Sequence, residues 1–182
     1  MIRHARYGPR DHYLDPPPAG MCMSVFAFVT RGDKVLVGVP KPHAAWKDKW
    51  LFSWATYSQR ELQEAYRDRR LPSSYLLEGE DPREGLGRVM AEQLRVRSYR
   101  ARGPRVFSYL SPSDWYPGHK HWDLAFVYDV KVEGPVGLPP WWGSLGFEDR
   151  KKIRASDFGW NSDLVTDIGA AVASGKKATD TP

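Results

Sequence analysis

Two carboxylates and an arginine, Glu80, Arg88 and Glu92, are spaced through the stretch Glu78 to Val96, EGEDPREGLGRVMAEQLRV. Arg88 stands one helical turn before Glu92, close enough for a charge-assisted hydrogen bond to orient a carboxylate. A second group, His119, His121 and Asp123, falls at alternate positions at the start of a β-rich run. Alternate residues of a strand point the same way about 7 Å apart and can share one cation or phosphate. Otherwise His119 and Lys120 belong to the loop begun by Tyr116, Pro117 and Gly118, and His121 closes the exposed edge of the strand.

The element that must position the first group is a helix. Asp81 suits the N-cap, Pro82 the first helical position and Glu84 the third, a reciprocal cap that satisfies backbone N–H groups lacking intrahelical partners. Leu86, Val89, Met90, Leu94 and Val96 then recur at mostly three- and four-residue steps, which makes one side apolar and leaves Arg83, Arg88, Glu92 and Arg95 elsewhere. Upstream, Met21 to Thr30 and Lys34 to Val39 read as two strands of a hairpin joined by Arg31, Gly32 and Asp33. Downstream, Arg105 to Leu110 and Trp122 to Val132 alternate as strands. In the second, Leu124, Phe126, Tyr128, Val130 and Val132 share one face, and one face is expected to meet the core. A last helix is expected over Asp163 to Ser174, capped by Asn161 or Ser162. Ser58 to Arg70 carries a capping-box pattern and reads as an inserted helix, with either a solvated face or a basic recognition surface.

The Glu78–Val96 stretch resembles the signature of the Nudix family, G-x5-E-x7-R-E-U-x-E-E-x-G-U, where U is a bulky aliphatic residue. Glu80, Arg88, Met90, Glu92 and Val96 match it. Ser74 replaces the first glycine, Val89 the acid after the arginine, Gln93 the second acid of the pair, and Arg95 the late glycine. Trp50 to Trp54 resembles the start of the family's W-x-(L/F)-P-G-G stretch, whose Pro-Gly-Gly is missing; Leu71 to Ser74 is a second placement for it. The resemblance implies an α/β fold, an α/β/α sandwich around a mixed β-sheet, over residues 21–174 with a helical insertion near 58–70. Residues 1–20 are expected to run extended and 175–182 to be a disordered tail.

The resemblance further implies a site in which glutamates hold Mg²⁺ or Mn²⁺ against a diphosphate while water attacks phosphorus. Its residues here are Glu92 and Arg88 as catalytic groups, Glu92, Glu80 and Asp123 as metal ligands, and Trp50, Trp54 and His121 against substrate. A hard cation wants oxygen ligands. Val89 offers none and Gln93 only a neutral one. Two readings follow: a divergent metal-dependent hydrolase of a nucleoside diphosphate linked to another moiety, or a catalytically inactive module of the same fold that binds a nucleotide, RNA or a protein partner. A structural subunit of a larger assembly is a third.

Composition narrows the rest. A chain of 182 residues, 41% hydrophobic, suffices for one domain with its own core. No apolar run approaches the roughly 20 residues that span a bilayer, so no membrane association is expected. There is no apolar h-region at the N-terminus, and Cys22 is the single cysteine, which excludes an internal disulfide and leads to a cytoplasmic expectation. The net charge of +5 suits anionic partners. Of eight tryptophans, several lie in loops, Trp46, Trp50, Trp54, Trp115, and Trp141 and Trp142 after Pro139-Pro140, where they either lid the core or stack on a nucleobase.

Overall fold

The computed structural model describes residues 21–40, 69–77, 79–112, 120–139 and 142–173. Two strands lie side by side at the centre of a six-stranded mixed sheet: β1 (Met21–Arg31) and, parallel to it, β5 (Lys120–Lys131), in register from Met21 opposite Trp122 to Thr30 opposite Lys131. β4 (Arg100–Pro112) flanks β5 on one side, antiparallel. On the other side β2 (Lys34–Pro40) and β6 (Trp142–Asp149) complete the order β4-β5-β1-β2-β6, and β3 (Ser73–Tyr75) also pairs with β1.

Parallel central strands are covered on both faces, so their middles are continuously apolar, Val25 to Val29 in β1 and Leu124 to Tyr128 in β5. Val25, Ala27 and Val29 of β1, with Tyr128 and Val130 of β5, pack under α1 (Pro82–Leu94) through Leu86, Val89, Met90 and Leu94. Phe26 and Phe28 with Ala125 and Val127 pack on the opposite face against Phe158 and against Leu164 and Ile168 of α2 (Ser162–Ala173). The expected α/β/α sandwich with a mixed sheet is therefore the observed one. One expectation is corrected: β5 gives both faces to the core, because a helix layer lies on each.

The β1–β2 hairpin forms as the sequence indicates, with Arg31 opposite Lys34 and Gly32 at φ +58. Away from that turn the two strands part, and residues 70–76 run through the opening. Arg70 exchanges two backbone hydrogen bonds with Gly38 of β2, while Pro72 O accepts from Ala27 N and Leu76 N donates to Met23 O of β1. Arg69 and Arg70, placed at the end of the inserted helix by their charge pattern, are thus not helical. Residues 58–68, the remainder of that insertion, lie outside the described residues, as do the terminal segments 1–20 and 175–182.

β3 and β6 have no counterpart in the sequence reading. Both depend on distant partners: β3 is three residues long, and β6 alternates around Gly143 and Gly146 and gains its order from pairing with β2. Trp142 is not a loop residue. It opens β6, is buried, and donates from Nε1 to Gln93 O at 3.0 Å, which places it in the core and not on a stacking surface.

Candidate functional site

α1 begins as its sequence dictates. The Asp81 carboxylate accepts from Arg83 N at 2.7 Å and Glu84 N at 2.9 Å, and Glu84 Oε2 accepts from Asp81 N at 3.0 Å, with Pro82 in the first turn. Such a cap fixes where the chain enters the helix, and so where residues 75–80 lie against it. Gly85 lets the two come close: a Cβ there would stand 2.6 Å from Leu76 Cδ2.

The entry loop is tied to the helix by Arg88. Its Nε donates to Glu80 Oε1 at 2.7 Å and its Nη2 to Glu80 Oε2 at 2.8 Å, a bidentate pair. Nη2 also donates to Tyr75 O at 2.7 Å and Nη1 to Ser74 Oγ at 2.9 Å. Glu80 Oε2 accepts in addition from Leu77 N at 2.9 Å. Both side chains are largely withdrawn from water, 19% exposed for Arg88 and 11% for Glu80. The Arg88 hydrogen bond, aided by that of Leu77, holds the Glu80 carboxyl below its ordinary range against the opposing effect of burial. Glu80 in turn, and Glu92 more weakly, raise the Arg88 guanidinium.

The other positions on the helix have different fates. Glu92 is exposed, one turn beyond Arg88. Val89 is completely buried beneath α1. Gln93, 8% exposed, donates from Nε2 to Ser73 O at 2.6 Å and accepts at Oε1 from Ser73 N at 3.2 Å. Its primary amide thus pairs with the outer edge of β3 as a neighbouring strand would. The helix closes at Arg95, in the left-handed region at φ 55.

No protein-family model matches the sequence, and no curated protein matches it. Solved structures do. A NUDIX hydrolase from Nitrosomonas europaea is 15% identical, the match covering 86% of this chain and 90% of that one with a TM-score of 0.60. A MutT protein from Methanosarcina mazei Go1 is 14% identical over 86% of this chain and 96% of that one, with a TM-score of 0.57. The NUDIX domain of Shewanella oneidensis NrtR, in a complex with ADP ribose, is 11% identical over 92% of this chain and 95% of that one, with a TM-score of 0.56. The chain has the Nudix fold.

In that Nudix fold the residues expected to act together separate into two sets. Glu80 and Arg88 are in contact, with Glu92 close by on the same helix. Asp123 is not with them. It sits on β5 beside Cys22 of β1, in the alternation that faces α2, whereas Glu80, Arg88 and Glu92 belong to the α1 layer. Burial, and secondarily Asp123, pushes the Cys22 thiol up to about 12. His121 lies in β5 opposite Ser111. His119, Trp50 and Trp54 lie outside the described residues.

The donor set does not fit a Mg²⁺ or Mn²⁺ ion held in the way the Nudix resemblance implies. Both oxygens of Glu80 are engaged by Arg88, the Gln93 oxygen is engaged by Ser73, Val89 has no donor, and Asp123 is across the sheet. Among the described residues no three His, Cys, Asp or Glu side chains form a group able to hold a metal ion. Sequence reasoning missed the parts played by Ser73, Ser74 and Tyr75. Ser74 appeared only as a lost glycine, although a hydroxyl in that place suits an arginine expected nearby.

Proposed function

We propose that this chain is a divergent Nudix-type protein that binds a nucleotide-like, diphosphate-containing ligand and has given up metal-assisted hydrolysis through the box. The observation that carries this reading is the commitment of the two exchanged positions: Val89 to the core and Gln93 to the backbone of Ser73. Each has become part of the scaffold. Glu80 and Arg88 fix the loop to the helix, a positioning role that turnover does not require.

Ligand class is supported by two things. A solved Nudix domain of this fold is in complex with ADP ribose. The net charge of +5 draws anions. Among the described residues no helix is long and apolar enough to cross a membrane. The hydrolase reading retains one observation, the exposed carboxylate of Glu92 beside Arg88.

Calorimetric titration with ADP-ribose, in the presence and absence of Mg²⁺ and Mn²⁺, tests the proposal, with chromatography of the same mixtures for AMP and ribose 5-phosphate. Saturable binding without product is the expected result. Metal-dependent product that disappears in Glu92→Gln would overturn it in favour of the hydrolase. Failure to bind ADP-ribose and a panel of nucleoside diphosphates would remove the ligand assignment.

A further inference from the structure

The strand register assembles a row of cations that no single segment of the sequence displays. Arg100 of β4 lies opposite Lys131 of β5, Lys131 opposite Thr30 of β1, Arg31 opposite Lys34 of β2, and Lys34 opposite Asp149 of β6. These positions are the ends of five neighbouring strands, all at one rim of the sheet. The chain then turns directly into Arg150–Lys152, and Arg150 N donates to Asp33 O at 3.0 Å, pinning that basic turn to the hairpin tip. Three inter-strand steps of about 4.8 Å, from β4 to β2, spread the cationic strand ends over roughly 14 Å; β6 ends in Asp149, and the basic turn follows it.

The row is solvated and only partly neutralised. Arg31, Lys34, Arg100, Lys131, Lys151 and Lys152 are all exposed. Arg100 faces Glu133 at 3.3 Å with both side chains 84% exposed, a pair of little strength. The Asp149 carboxylate is used in part by Lys151 N. Arg31 is held in place by Gly134 O at 2.7 Å and by the Phe147 ring 4.3 Å away, so its charge is presented from a fixed stem.

We infer that this rim binds the phosphodiester backbone of a nucleic acid. Cations on successive strands of one edge, Arg100 and Lys131 on the α2 side of the sheet and Arg31 and Lys34 on the α1 side, match a polyanion that lies across that edge, whose binding is driven by counterion release and needs no base contact. A membrane surface is the poorer match. Interfacial docking pairs basic residues with inserted apolar ones, and the exposed large apolar side chains of the described residues, Leu77, Val106, Leu110 and Leu138, are not in the row. The rim is also distinct from the box: Ser74 pairs with Val25, five residues and roughly 16 Å along β1 from Thr30.

Fluorescence anisotropy with labelled 20-mers of single-stranded RNA, single-stranded DNA and duplex DNA, from low to physiological salt, tests this on the whole chain. Lys131 and Lys120 lie at opposite ends of β5, so Lys131→Glu and Lys120→Glu make the same charge change in different places. The expected result is binding of at least one oligonucleotide, weakened about fivefold by Lys131→Glu with a salt slope shallower by about one, and changed less than about twofold by Lys120→Glu. The triple change at Lys131, Lys151 and Lys152 to Glu is expected to weaken it at least about thirtyfold while leaving ADP-ribose titration as in the unaltered chain. No oligonucleotide binding at low salt, equal effects of the two β5 variants, or tighter binding to phosphatidylserine vesicles than to any oligonucleotide would overturn it. Because the ADP-ribose titration reads the box and the anisotropy reads the rim, either proposal can fail alone.

Discussion

Gln93 holds the backbone of Ser73 from both sides of one amide, Nε2 donating to the carbonyl at 2.6 Å and Oε1 accepting from the N–H at 3.2 Å. The Nudix signature has an acid at this position, and a carboxylate cannot make the first of those bonds. An amide can satisfy a buried peptide group completely, and leaving such a group unmet costs about 1–3 kcal/mol. The exchange that removes a potential metal ligand is therefore the one that secures β3. Gln93→Glu is expected to lower stability by about 2 kcal/mol in urea denaturation at neutral pH and to produce no Mg²⁺-dependent cleavage of ADP-ribose. Undiminished stability, or a gain of turnover, would show that the amide is not needed by β3.

The Glu80–Arg88 pair makes stability depend on acid in a defined direction. The folded-state pKa of Glu80 lies below its ordinary 4.5, chiefly through the Arg88 hydrogen bond. Its contribution is therefore fully present above 4.5 and is lost as pH falls through the lowered value. Glu80→Gln leaves a mostly withdrawn guanidinium without its counter-charge, at a cost of about 2 kcal/mol at pH 7, discounted for partial exposure from the values of fully buried pairs. Denaturation of both proteins at pH 7 and at steps below 4.5 should give a difference that closes as the unaltered chain loses its own pair. A difference that stays constant with pH would contradict the linkage.

Much of the fold was legible because its signals are local. The hairpin, the Asp81 cap, the apolar stripe of α1 and the two-fold alternation of β5 all arise within a few residues. The β1–β5 parallel pairing, β3 and β6 were not legible, because their order comes from partners dozens of residues away. The candidate site divides in the same way. Glu80, Arg88 and Glu92 stand out by their spacing, but what Val89 and Gln93 do depends on the core beneath α1 and on an unpredicted strand. Period-two spacing says which residues share a face and not which helix that face meets, so the sequence does not show that Asp123 lies on the α2 side of the sheet.

Arg95 occupies the place of the signature's late glycine and has φ 55, a conformation that costs an L-residue roughly 1–2 kcal/mol. Its backbone N–H donates to Met90 O, and Val96 N donates to the same carbonyl at 2.9 Å, so the helix end is fixed in this geometry. Arg95→Gly removes the steric cost but also the aliphatic stem, which lies close against Gly137. The net expectation is a gain of about 0.5–1 kcal/mol, about 1–4 °C in the thermal midpoint for a chain of this size. A lower midpoint would mean that the stem's packing outweighs the strain.

Restoring the remaining signature acid separates ancestry from present use most sharply. Val89 is wholly enclosed among the apolar side chains that join α1 to β1 and β5. Val89→Glu places a carboxylate there with no described cation arranged to meet it, and an uncompensated buried charge costs about 3–5 kcal/mol. That is a large share of the 5–15 kcal/mol by which domains are usually stable. Circular dichroism and size-exclusion chromatography are expected to show loss of cooperative melting or of the compact species. Val89→Leu, which changes size without adding charge, should cost about 1–3 kcal/mol and leave the fold intact. A Val89→Glu protein as stable as the unaltered chain would show that this helical position can turn to water, and would reopen the box as a place where acids can gather.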